Sequence, residues 1–198
     1  MTGPLELDGA LRERVSALID EGWEIWAHFD RAVRQQSFHP FVAADYERVL
    51  QALLPLRAPG LRFLEWGSAT GVVTIIADLL GFEAYGIELD RQLVDIARRL
   101  AEKYRSRARF AEGSFLPAGY RWRPSDGDGR LGTIGQGASA YPQLGHALED
   151  FDLVYAYPWG GEEPMMQDLM RSYGRRDARL LLHGDNDVRL YAGLPAER

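Results

Sequence analysis

From Leu61 onward the chain alternates between two kinds of apolar pattern, and that alternation limits the fold more than any single residue does. LRFLEW, AYGIEL, RARFAEG, FDLVYAY and ARLLLHG are short apolar runs of strand length. Between most of them lie ATGVVTIIADLLG, DRQLVDIARRLAEKY and EEPMMQDLMRSYG, whose apolar residues recur at helical spacing. Strands that alternate with helices are joined by crossovers, so they pair parallel and carry helices on both faces of one sheet. Strands covered on both faces are apolar almost throughout, as these are. The pattern predicts an α/β fold with a doubly wound, mostly parallel sheet. After ARLLLHG only DNDVRLYAGLPAER remains, room for one more strand, so at most six strands are expected, the last antiparallel.

Two amphipathic helices are expected ahead of this unit. Leu11, Val15, Leu18, Ile19, Trp23, Trp26, Phe29 and Val33 fall on one helical stripe, and Val42, Tyr46, Val49, Leu50, Leu53 and Leu54 form a second before Pro55 stops it. Trp23 and Trp26 share a face and read as packing residues. The expected organisation is a helical extension over 1–58 and the sheet unit over 59–198, together one compact domain. Residues 117–143, PAGYRWRPSDGDGRLGTIGQGASAYPQ, break the rhythm and read as a long loop, since they are rich in Gly, Pro, Ser and Asp.

Composition removes several classes of function. With no cysteine there is no disulfide, thiolate nucleophile or cysteine-ligated zinc. A net charge of -6 repels nucleic acid. The basic clusters Arg98, Arg99, Lys103, Arg105, Arg107, Arg109 and Arg171, Arg175, Arg176, Arg179 read as solvated helix faces. The N-terminal stretch carries acids and no apolar targeting core, and no run is long enough to span a bilayer, which points to the cytoplasm and away from membranes. No His/Asp/Glu cluster has metal-ligand spacing, so no metal is expected.

In an open parallel sheet, ligands sit where the first strand turns into its helix. Glu65-Trp66-Gly67-Ser68-Ala69-Thr70-Gly71 falls there, and its small residues let backbone approach a ligand closely. The dinucleotide fingerprint G-x-G-x-x-G is not met, because Gly71 comes one position early. Glu65, ahead of the turn, suits a cationic amine better than a pyrophosphate.

This run resembles the first motif of the class I S-adenosylmethionine-dependent methyltransferases, an acid followed by G-x-G-x-G with Ala69 at the middle glycine. Gly86-Ile87-Glu88-Leu89-Asp90 resembles their second motif. The resemblance covers roughly 42–183 and implies a Rossmann-like methyltransferase fold with a truncated C-terminus, and S-adenosyl-L-methionine as cofactor. It implies that Glu65 holds the methionine moiety through a water or its amine, and that Gly67, Ala69 and Gly71 line the cofactor. Glu88 would bind both ribose hydroxyls, Leu89 would lie on the adenine, and Ser114, followed by Phe115, would stand where the family often has an acid for the adenine amine.

Methyl transfer is driven largely by orientation and electrostatics, so the reacting edge is expected after the fourth strand, at Tyr157, Pro158, Trp159, Glu162 and Glu163. Pro158 and Trp159 match part of the amino-methyltransferase motif, but the polar residue that motif needs ahead of them is missing, which speaks against methylation of nucleobase nitrogens. Glu162 and Glu163 read as the acidic first turn of a helix. His39 and His183 are candidate bases for a hydroxyl acceptor. Tyr157, Trp159 and His183 are the candidate catalytic residues. The reading is a methyltransferase with a small-molecule or protein acceptor, in which loop 117–143 closes over the acceptor. A non-catalytic cofactor-binding module and an NAD-dependent oxidoreductase are the alternatives.

Overall fold

The computed structural model describes residues 7–37, 39–121 and 137–192. Helix α1 (Gly9–Phe29) starts where Asp8 accepts a hydrogen bond from the Leu11 amide at 2.8 Å, and it runs into a π-helical turn at Asp30–Arg34. Helix α2 (Tyr46–Leu53) is capped in the same way by Asp45, which accepts from the Arg48 amide at 3.0 Å. Pro55 follows its end. Then come β1 (Arg62–Trp66), α3 (Val72–Leu79), β2 (Glu83–Glu88), α4 (Arg91–Lys103) and β3 (Arg109–Glu112). The remainder is α5 (Tyr141–Leu144), β4 (Leu153–Ala156), α6 (Glu163–Tyr173), β5 (Arg179–His183) and β6 (Val188–Ala192).

The sheet order is β3-β2-β1-β4-β5-β6, with β6 alone antiparallel, as the strand patterns lead one to expect. The chain builds outward from β1 in one direction, then returns and builds from β4 in the other. That reversal opens a crevice at the strand ends between β1 and β4.

Successive side chains on a strand point to opposite faces. Phe63, Ala84, Phe110, Leu153, Tyr155 and Leu181 face a layer that includes Val15, Leu18, Val49, Ile76 and Val94 from the first four helices. Leu64, Trp66, Tyr85, Ile87, Val154 and Leu180 face a second layer with Tyr141, Met166 and Leu169. The N-terminal helices thus share the core of the sheet. Trp23 leans on Tyr46 with ring centroids 4.9 Å apart, and Trp26 meets Phe41 edge-on at 5.1 Å.

Much of the loop expected over 117–143 lies outside the described residues, but its far end is shorter than the sequence reading. Ser114 and Ser139 form a parallel bridge, and α5 begins at Tyr141. Pro142 presets the first helical turn, Tyr141 and Leu144 are buried, and Gly145 closes it in the left-handed region. Among the described residues no helix is long and apolar enough to cross a membrane.

Candidate cofactor cavity at the strand ends

The turn after β1 is fixed by its own backbone. Gly67 and Gly71 have φ of 71° and 78°, and Ala69 has φ of 45°, a region that disfavours a residue bearing a Cβ. The amides of Gly67 and Ser68 both donate to the Ile87 carbonyl at 2.9 Å, which ties the turn to the end of β2. The Ala69 amide donates to Glu88 Oε2 at 2.8 Å, and the Asp90 amide to Glu88 Oε1 at 2.9 Å. Burial pushes the Glu88 carboxyl above its ordinary range, while the amides of Asp90, Ala69 and Leu89 pull it back.

Above this turn lies a cavity of about 380 Å³, a size typical of small-molecule sites. Its wall draws Gly67 and Ala69 from the turn, Ile87 to Asp90 from the end of β2, and Gly113 and Phe115 beyond β3. From the other side come Tyr157 to Gly160, Glu162 and Asp185, with His39 to Val42 leading into α2. Among the described residues four carboxylates line it, Glu88, Asp90, Glu162 and Asp185, and no lysine or arginine does.

Of the residues singled out in the sequence, Gly67, Ala69, Glu88, Leu89, Phe115, Tyr157 and Trp159 meet on this wall. Glu65, Gly71, Ser114 and His183 do not. Glu65 sits on β1 one place before Trp66 and therefore points to the opposite face, under α3. There its Oε2 accepts from the Thr74 amide at 2.9 Å and from the Thr74 hydroxyl. Burial raises its pKa to about 8 against the opposing pull of the Thr74 hydrogen bonds, and the nearby Glu88 charge adds to the rise. A Cβ on Gly71 would stand 2.7 Å from both the Ala97 methyl and the Phe110 ring, so this glycine serves packing of the turn on α4 and β3.

Ser114 is buried and its hydroxyl accepts from the Leu116 amide at 3.1 Å. His183 is buried behind Tyr157, whose ring centroid is 4.4 Å away, and its Nε2 accepts from the Asp45 amide at 3.3 Å. Burial lowers its pKa. His39 does reach the wall, but Nδ1 accepts from the Phe41 amide at 3.1 Å, which leaves Nε2 as the donor to Asp90 Oδ2 at 3.0 Å. Asp90 in turn caps α4 by accepting from the Gln92 amide at 2.7 Å. Glu163 leaves the site altogether and pairs with Arg189 at 2.9 Å and with the Tyr191 hydroxyl.

No family model matches the chain. A ribosomal protein L11 methyltransferase of Thermus thermophilus is 36% identical over 77 residues, which are 39% of this chain and 30% of that relative. The chain therefore matches less than a third of that protein's length. An RNA methyltransferase from Salinibacter ruber, solved in complex with S-adenosyl-L-homocysteine, superposes with a TM-score of 0.53 over 76% of this chain and 92% of its own, at 16% identity, and shows the common fold. The chain thus shares its fold with a solved methyltransferase and a stretch of sequence with a second one.

Within that fold, the wall also carries residues to which the sequence reading gave no role. Trp66 stacks on Phe115 at 5.2 Å and 18°, and its Nε1 donates to the Tyr141 hydroxyl at 3.0 Å. The period of two along β1 would have found it, because Trp66 must face away from Glu65. Phe41 is brought in by a segment far from the motifs in sequence, and no local pattern announces it, whereas Asp90 ends the second motif, in which the resemblance gave roles to Glu88 and Leu89 alone. Glu162, read as a helix-start acid, does stand at the N-cap of α6, and it is also buried at 2% exposure with Oε2 accepting from the Trp159 amide at 2.9 Å.

Proposed function

We propose that the chain is a methyltransferase that binds S-adenosyl-L-methionine across the ends of β1 and β2. The observation that carries this reading is Glu88. Its carboxylate is oriented by the Ala69 and Asp90 amides on the wall of the cavity, and a carboxylate so held can accept two hydrogen bonds from a ribose diol. The acidic wall supports the same choice. A dinucleotide needs donors or cations for its pyrophosphate, whereas four carboxylates without a lysine or arginine among the described lining suit a ligand carrying positive charge.

When bound, the cofactor supplies an electrophilic methyl group for in-line displacement. The chain's own part is to bind and orient. Glu88 takes the ribose, Leu89 and Phe115 flank the adenine, and Gly67, which has nothing within 4 Å of an added Cβ, lets the backbone approach. Glu65 and Gly71 act one layer below, Glu65 by holding the first turn of α3 through Thr74. Tyr157 and Trp159 border the acceptor, a small molecule or a protein group, while the acidic wall and net charge of -6 disfavour nucleic acid.

Calorimetry tests the reading. S-adenosylmethionine or S-adenosylhomocysteine should bind in the micromolar range, about -8 kcal/mol, and Glu88→Ala should weaken binding at least tenfold, about 1.4 kcal/mol. Heat from NADH and none from either methionine nucleoside would restore the oxidoreductase alternative. Binding without methyl transfer to any acceptor would leave a binding module.

A further inference from the structure

Resting on that methyl-transfer reading, we propose that the acceptor is a small aliphatic amine, received at the β4–β5 side of the cavity. The sheet order puts β4 and β5 across the switch point from β2 and β3, where Glu88 and Leu89 stand. On this side the wall presents Phe41, Tyr157 and Trp159 together with Glu162 and Asp185. Aromatic faces and carboxylates both favour a cation, and both repel anionic acceptors. The Trp159 amide is tied to Glu162 at 2.9 Å, so the aromatic and the buried acid are held as one unit.

A hydroxyl acceptor fits less well, because it must lose its proton to a base as its oxygen attacks. The histidine on the wall, His39, has both ring nitrogens engaged, by the Phe41 amide and by Asp90. His183 lies behind Tyr157 and off the wall. An amine brings its own lone pair once its ammonium form has released a proton to solvent. The nitrogen then bonds to the methyl carbon, the carbon–sulfur bond breaks with its electron pair on sulfur, and the positive charge passes from sulfur to nitrogen. The methylated ammonium returns to the free amine by giving a proton to water. Glu162 is a positioning residue here, accepting an N–H of the amine so that the lone pair faces the methyl group.

The experiment uses the full chain with methyl-labelled S-adenosylmethionine and three matched acceptor sets: benzylamine, n-butylamine and 1,4-diaminobutane; benzyl alcohol and 1-butanol; and butyrate. Label is expected in the amine set alone. Trp159→Ala and Glu162→Gln should each raise the KM of the best amine by about tenfold, with S-adenosylhomocysteine affinity kept within about twofold of the parent. Asp185→Asn, at an exposed residue, should raise it in the same direction by about threefold. Unchanged cofactor binding with label in an alcohol or in butyrate, or in no amine of the set, overturns the proposal and leaves the methyl-transfer reading standing. So does an amine KM that none of the three substitutions moves. Absence of heat with either methionine nucleoside overturns both readings together.

Discussion

At the ends of β1 and β2 the cavity wall is made largely by backbone: the Gly67 and Ser68 amides close onto Ile87, and the Ala69 amide fixes Glu88. At the ends of β4 and β5 it is made by side chains, Tyr157, Trp159 and Glu162, joined by Phe41 from a distant segment and by Asp185. The first rim needs left-handed dihedrals and missing Cβ atoms, requirements that few residue types meet. The second needs only side chains of suitable chemistry, and these can change without altering the fold. A backbone-built rim suits a ligand held in common, and a side-chain rim suits one that differs from protein to protein.

The sharpest way to break this contrast is to add one methyl group to the turn that supports the first rim and one to the second rim. Gly71→Ala places a Cβ 2.7 Å from Ala97 and Phe110 at a φ of 78°. Left-handed strain and overpacking together should cost about 3 kcal/mol, read as a shift in the urea midpoint. Gly160, on the other rim, has nothing within 4 Å of an added Cβ, and its alanine variant should stay within about 0.5 kcal/mol of the parent. Equal losses at the two sites would mean that the rims are equally constrained and the contrast is void.

A second, smaller effect belongs to the acid beneath the first rim. Glu65 is held protonated up to about pH 8 in the folded chain, against the 4.5 usual for a free side chain. Between those values the unfolded chain has released this proton and the folded chain has not, so the group's contribution to stability falls as pH rises through the window and levels off above it. Glu65→Gln keeps an acceptor for the Thr74 amide and hydroxyl without the ionisation. Its urea midpoint should therefore fall less than the parent's between pH 5 and pH 8, and its stability at pH 8 should equal or exceed the parent's. A variant whose pH profile overlays the parent's would show that Glu65 is not the titrating group.

The strand runs, the antiparallel last strand and the two leading helices were all legible, because burial on both faces and helical periodicity are written locally. The glycine turn was legible as well, but the motif could not say which of its members face the cavity. Gly71 answers to Ala97 and Phe110, contacts made across 26 and 39 residues, and Glu65 is turned away by the pleat of a strand whose register no motif records. His39 illustrates the same limit. The sequence offers it as a candidate base, while the fold gives each ring nitrogen a partner, one of them 51 residues away.

The smallest expected effect lies just beyond the second rim, where the antiparallel strand is fastened to α6. Arg189 on β6 reaches Glu163 at 2.9 Å and Asp187 at 3.6 Å, and its side chain is 43% exposed. Water and salt screen such a pair, and holding two long side chains in place costs entropy that offsets the attraction. Glu163 also keeps the Tyr191 hydroxyl and the Gln167 amide as partners when the guanidinium is gone. Arg189→Ala should accordingly leave the urea midpoint without a resolvable shift and S-adenosylhomocysteine affinity unchanged, although Glu163 is the immediate neighbour of the wall residue Glu162. A midpoint loss approaching that of Gly71→Ala, or a weakened cofactor, would show that β6 braces the second rim through α6, and that this rim is held by more than the side chains that face the cavity.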